Sequence, residues 1–196
     1  MNAREHILQA IKAGRPGAVA LPGLEQDLAI HYDDVLAKFK TTLEAIGGQW
    51  LEISGEEEVS TFAEQESGAG KFVINAAGDN ENSLSEMTAR QLAGVDMAIV
   101  RGKLGVAENA AIWLTEEQMK NRLLPYICQQ LVLVLREDEI ISNMHQAYQQ
   151  TRINERGFGA FIAGPSKTAD IEQSLVIGAH GPISLKVLII KENKIA

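Results

Sequence analysis

Cysteine is almost absent: Cys128 is the single one in 196 residues, and it sits in the apolar context Leu123 to Leu135. An internal disulfide is thereby excluded, and one thiol cannot hold an iron–sulfur cluster by itself. Basic charge is also in deficit, with 18 Lys and Arg against 26 Asp and Glu for a formal net charge of −8. A whole-surface attraction to nucleic acid or anionic membranes needs the opposite balance. No run approaches the roughly 20 apolar residues of a membrane helix. Met1 to Arg15, with Glu5 and His6 among its apolar residues, lacks the continuous apolar core of a secretory signal. A cytosolic location is the expectation. His6, His31 and His145 fall on predicted helices without metal-ligand spacing, so no metal site is expected.

What is present is enough apolar residue, 45% of the chain, for one substantial core. Two parts are expected: residues 1–30 as an N-terminal amphipathic helix and linker, and residues 31–196 as an α/β domain. Ile7, Leu8 and Ile11 lie at helical spacing within Ala3 to Ala13, and the proline and glycine density of Gly14 to Gly23 marks a tether. This helix either packs on its own domain or a copy of it, giving a homo-oligomer, or docks onto a different protein.

From Asp33 onward, helical and strand patterns alternate. Val35, Leu36, Phe39, Leu43 and Ile46 form a helical stripe that stops at Gly47-Gly48, and Trp50 to Ile53 reads as a strand. Helices are predicted at Glu56 to Glu66, Leu84 to Leu92 and Ile140 to Gln150. Further strands are predicted at Lys71 to Asn75, Val95 to Val100, Ala110 to Leu114, Leu131 to Leu135, Ala160 to Ala163 and Leu185 to Ile190. Leu131 to Leu135 is apolar at every position, as when both faces of a sheet are covered. The expected fold is a three-layer α/β/α sandwich. Ligands in such sheets sit outside the carboxyl ends of strands, which places Arg101 to Asn109, Gly164 to Glu172 and Gly78 to Asn80 on that rim.

Polar groups able to handle an anion concentrate in Gly164-Pro165-Ser166-Lys167-Thr168-Ala169-Asp170-Ile171-Glu172 and in Gly178-Ala179-His180-Gly181-Pro182. The first cluster departs from a phosphate-binding P-loop, because Pro165 and Ser166 separate the glycine from the lysine and Ala160 to Ala163 reads as strand. A more general reading survives. A glycine turn leading to Ser166 or Thr168 as helix cap directs backbone amides at an anion, with Lys167 adding a mobile positive charge. Asp170 and Glu172 then either stabilise the first turn of that helix or contact a hydroxyl or amine of a ligand. His180, between glycines, either binds a ligand and transfers a proton or ties down its own loop. In Arg101 to Asn109, Glu108 is the one carboxylate, a candidate nucleophile or general base whose plain alternative is a solvated charge.

Taken in order, Gly105-Val106-Ala107-Glu108-Asn109-Ala110-Ala111-Ile112-Trp113-Leu114, Leu124-Pro125, Gly164 to Glu172 and Gly178 to Pro182 resemble the signatures of the lactate-utilisation (LUD) domain family. The resemblance spans almost the whole chain, since the Ala3-Arg4-Glu5 helix and its linker are also typical. It implies a fold related to the sugar-phosphate isomerase and CoA-transferase (NagB/RpiA/CoA transferase-like) superfamily. It also implies a role in oxidising L-lactate to pyruvate beside two iron–sulfur partner proteins, which hold the clusters while this chain binds no cofactor. Glu108, Gly164, Ser166, Lys167, Thr168, Asp170, Glu172 and His180 match the family's signatures. Ala110-Ala111 stands where related sequences often have Thr-Gly or Gly-Ala, narrowing the loop after Glu108. Two functions compete: an accessory subunit binding a small anionic metabolite or its partners, and a stand-alone enzyme on a phosphorylated or CoA-linked small molecule with Glu108 as nucleophile or base.

Overall fold

The computed structural model describes residues 2–17, 19, 29–78, 82–151, 157–171 and 174–191. Helix α1 (Ala3–Ala13) opens with a capping box in which the Asn2 side chain accepts the Glu5 N–H and the Glu5 carboxylate takes the Asn2 N–H; none of its residues is buried. Helix α2 (Val35–Ala45) starts at Asp34, whose carboxylate accepts the Ala37 N–H, and buries Phe39 and Leu43. Gly47, at φ 87°, turns the chain out of it through a conformation that favours glycine.

The central sheet is parallel throughout. Its strands β1 (Gln49–Ile53), β2 (Val73–Asn75), β3 (Met97–Arg101), β6 (Gln130–Arg136) and β11 (Ser184–Ile190) lie in the order β1-β11-β6-β3-β2. The all-apolar strand falls in the middle. Leu131, Leu133 and Leu135 of β6 enter one core and Val132 and Val134 the other, as two covered faces require.

The second core lies under α3 (Glu56–Gly68), which brings Val59, Phe62 and Ala63 onto Met97, Ile99 and Leu188. The first core is covered by α2, by the short helices α4 (Ala89–Leu92), α5 (Glu116–Met119) and α6 (Leu124–Ile127), and by a second sheet. That sheet runs β7-β4-β5-β8, from β4 (Leu104–Val106), β5 (Ala111–Thr115), β7 (Ile140–Ile141) and β8 (Gly159–Ile162). The step from β1 to β2 therefore crosses one face, and the return through β3, β6 and β11 uses the other. Opposite directions on opposite faces are what right-handed crossovers demand.

The fold is α/β with a covered parallel sheet, as the alternating pattern implies, but one outer layer is part helix and part sheet. The helix expected over Ile140 to Gln150 divides into β7 and α7 (Met144–Gln150), split where the Asn143 side chain caps α7 by accepting the Gln146 N–H. Leu84 to Leu92 likewise divides, into a 3₁₀ turn and α4.

Two corrections bear on the site. The described residues from Lys167 onward form no helix: β9 (Lys167–Ile171) pairs antiparallel with β10 (Ser174–Ile177). Ser166 and Thr168 are thus not helix caps, and Asp170 stands on a strand, not in a helix first turn. Glu172 lies outside the described residues. The β-branched Thr168, Ile171, Val176 and Ile177 favour the extended chain, and its pairing partner lies downstream, beyond any local capping signal. The second correction is position. Gly178 to Pro182 lead into the amino end of β11, and the Ile183 N–H donates to the Gln129 carbonyl just before β6. Gly164 to Ser166 join them there, so these loops sit at the amino ends of the strands, not on the carboxyl rim. Arg101 does end β3 on that rim and Gly78 follows β2 there, while Asp79 and Asn80 lie outside the described residues. Among the described residues no helix is long and apolar enough to cross a membrane.

Candidate functional site

Main-chain bonds draw the two loops together. The Ser166 N–H donates to the Pro182 carbonyl at 2.9 Å, and the Gly178 N–H to the Ser166 carbonyl at 3.0 Å. Gly178 holds φ 79°, and a Cβ there would meet Ile183 Cγ2 at 2.1 Å, so only glycine allows this crossing. The result is a cleft of about 250 Å³. Its walls are Pro125 and Tyr126 of α6, Leu131 of β6, Phe161 and Ile162 of β8, and the loops Ala163 to Ser166 and His180 to Pro182.

Of the residues expected to bind a ligand, Gly164, Ser166 and His180 line this cleft. Lys167 and Thr168 do not. The Lys167 ammonium donates to the Ile46 carbonyl at the end of α2, where a cation satisfies an open helix carbonyl and the helix dipole. Ser166 Oγ, the His180 ring and the Tyr126 hydroxyl each make no hydrogen bond to another described residue. Burial pushes the Tyr126 phenol above its ordinary pKa. Sequence reasoning passed over Tyr126, although the neighbouring Leu124-Pro125 stood among the family signatures; Pro125 opens α6, which carries the tyrosine to the cleft.

Glu108 is placed elsewhere, in the turn between β4 and β5. Its carboxylate accepts the Met144 N–H at 2.9 Å, at the start of α7, and its own N–H donates to the Ser142 carbonyl at 3.0 Å. Asn109 accepts the Ala111 N–H through its side chain. Between them Ala110 holds φ 55°, a left-handed conformation that glycine adopts more readily than alanine. Glu108 and His180 do not line one cleft. Arg101, at the carboxyl rim, is paired with Glu56 at 2.8 Å and Glu139 at 3.2 Å, so its guanidinium is already occupied. Cys128 is 2% exposed, and burial pushes its thiol up to about 12.

A chain of Deinococcus radiodurans described as a DUF162 family protein shares the fold, with a TM-score of 0.60, 18% identity, and coverage of 83% of this chain and 99% of that one. "Lactate utilization protein C" of Shouchella clausii is 27% identical over 86% of this chain and 77% of its own length. The protein of the same name from Bacillus pumilus is 31% identical over 49% of this chain and 42% of its own length, so that match spans less than half of the relative. "Uncharacterized protein YkgG" of Escherichia coli is 27% identical over 75% of this chain and 65% of its own. The LUD domain model matches residues 2–190, in agreement with the ordered signatures from Glu108 to Pro182, and the chain belongs to the LUD domain family.

Proposed function

We propose that this chain is a component of a cytosolic L-lactate utilisation system, which oxidises L-lactate to pyruvate with two iron–sulfur partner proteins. In it the chain is an accessory subunit that binds a small anionic metabolite. The observation that carries this reading is the LUD match over residues 2–190 together with relatives named lactate utilization protein C. The chain's single thiol supports leaving the clusters to partners, since Cys128 is buried in the core and its thiolate is strongly disfavoured. The stand-alone enzyme with Glu108 as nucleophile or base has less support, because that carboxylate already holds the first amide of α7.

The test is to recover the tagged full chain from cells grown on L-lactate and assay iron and lactate-oxidising activity in the eluate. Co-eluting iron and activity, with loss of growth on lactate when the protein is deleted, are the expected results. An iron-free, inactive eluate and normal growth on lactate in cells with no other lactate oxidase would overturn the proposal.

A further inference from the structure

The cleft has an unusual balance of groups for an anion site. Among its described lining residues there is no Lys, Arg, Asp or Glu. A phosphate or other polyanion would find no fixed cation to neutralise it, and a cation would find no carboxylate. The wall is shared between polar surface and the hydrocarbon of Leu131, Phe161, Ile162 and the three prolines. Against that wall stand three groups that make no hydrogen bond to another described residue, Ser166 Oγ, the His180 ring and the Tyr126 hydroxyl. A cleft that combines hydrocarbon with a few polar groups suits a small molecule carrying both kinds of surface. Ser166 and the loop that carries His180 are held together, because a Cβ on Gly181, the residue after His180, would stand 3.2 Å from Ser166 Cβ. These hydroxyl and imidazole groups suit a ligand with one compact polar end and a short hydrocarbon remainder.

We propose that this cleft binds a short-chain 2-hydroxy or 2-oxo monocarboxylate, with Ser166, His180 and Tyr126 taking its polar end and Leu131 and Ile162 its hydrocarbon end. The choice of this acid over other small monocarboxylates rests on the proposed function; the exclusion of polyanions and cations rests on the described lining of the cleft. Lys167 has no part in it, since its ammonium is held by the Ile46 carbonyl. The space of about 250 Å³ is several times the roughly 30 Å³ that a water occupies in the liquid. A three-carbon acid leaves part of it empty, and affinity therefore rises as the chain lengthens.

The test is an amide NMR titration of the full chain with glycolate, L-lactate and L-2-hydroxybutyrate, with L-lactamide and inorganic phosphate beside them. Saturable shifts at Ser166 and at Ala179 to Gly181 are expected with the three acids, tightening about fourfold for each added methylene. His180→Ala and Tyr126→Phe should each weaken L-lactate by about tenfold, the size of a hydrogen bond to a charged group, with an unchanged unfolding midpoint. Phosphate binding more tightly than lactate, lactamide binding equally well, or no saturable shift at these amides would each overturn the proposal. Absent shifts with a successful recovery of iron and activity defeat the cleft alone. Saturable shifts with an empty recovery uphold the cleft and defeat the assembly.

Discussion

The turn at Glu108 and the cleft at Ser166 and His180 are built from similar material: small residues, polar side chains and an ionisable group. In the turn, Glu108 and Asn109 bond main-chain amides of their own fold. In the cleft, the main chain is bonded, whereas Ser166 Oγ, the His180 ring and the Tyr126 hydroxyl make no hydrogen bond to another described residue. Sequence signatures look alike in both places because a polar residue held for folding and one held for a ligand obey the same chemistry. What separates them is whether the polar atoms are already engaged, and only the folded chain shows that.

The largest effect expected from breaking this contrast is at Asn143, near the Glu108 turn. It is 1% exposed, caps α7 by accepting the Gln146 N–H and donates to the Ile30 carbonyl at 2.8 Å. Asn143→Ala should cost about 3 kcal/mol in chemical denaturation while L-lactate binding by the folded protein stays as it was. A parallel fall in binding would show that the two regions act as one.

Glu108→Ala comes next, at about 1 kcal/mol for the lost α7 contact, again with binding unchanged. A variant of full stability that no longer binds would instead move Glu108 into the site. Lys167→Met should cost roughly 0.5 kcal/mol through the end of α2. A tenfold loss of lactate affinity there would restore the lysine to the ligand.

The smallest effect lies away from both. Lys191, at 2.8 Å, and then Lys40 hold the Glu52 carboxyl below its usual pKa. A depressed carboxyl stabilises the fold above its unfolded pKa, and that contribution disappears as pH falls through the folded value. Glu52→Gln should therefore flatten the fall of the unfolding midpoint below about pH 4, by less than about 1 kcal/mol for a partly exposed pair. An identical acid limb in the variant would remove Glu52 from the account.

Much of the fold was legible because burial leaves a periodic mark. The stripe from Val35 to Ile46, its stop at Gly47 and the unbroken apolar run in β6 each identify their element without knowledge of its partners. Sheet membership leaves no such local mark: Ala160 and Leu185 begin similar apolar runs, yet β8 and β11 enter different sheets. The cleft was half legible. Gly164, Ser166 and His180 are there, but Lys167 satisfies a helix carbonyl brought near by folding, and Tyr126 arrives on a four-residue helix too short to show periodicity. Ser166 to Asp170 misled because cap chemistry and strand chemistry use overlapping residues, and the deciding pairing with Val176 and Ile177 is downstream.

Strand β11 lies between β1 and β6, with Gln49 paired to Lys186 and Leu131 to Leu185. During synthesis, β1 is among the first strands to leave the ribosome and has no sheet neighbour until β11 follows it. Before then, β6, β3 and β2 can associate as a three-stranded fragment with an open edge on β6. Between the completion of β6 at Arg136 and the arrival of β11 at Ser184, the nascent protein therefore carries two unsatisfied strand edges, the state most open to wrong pairing and to chaperone capture. Premature termination before Ser184 would leave those edges permanently exposed.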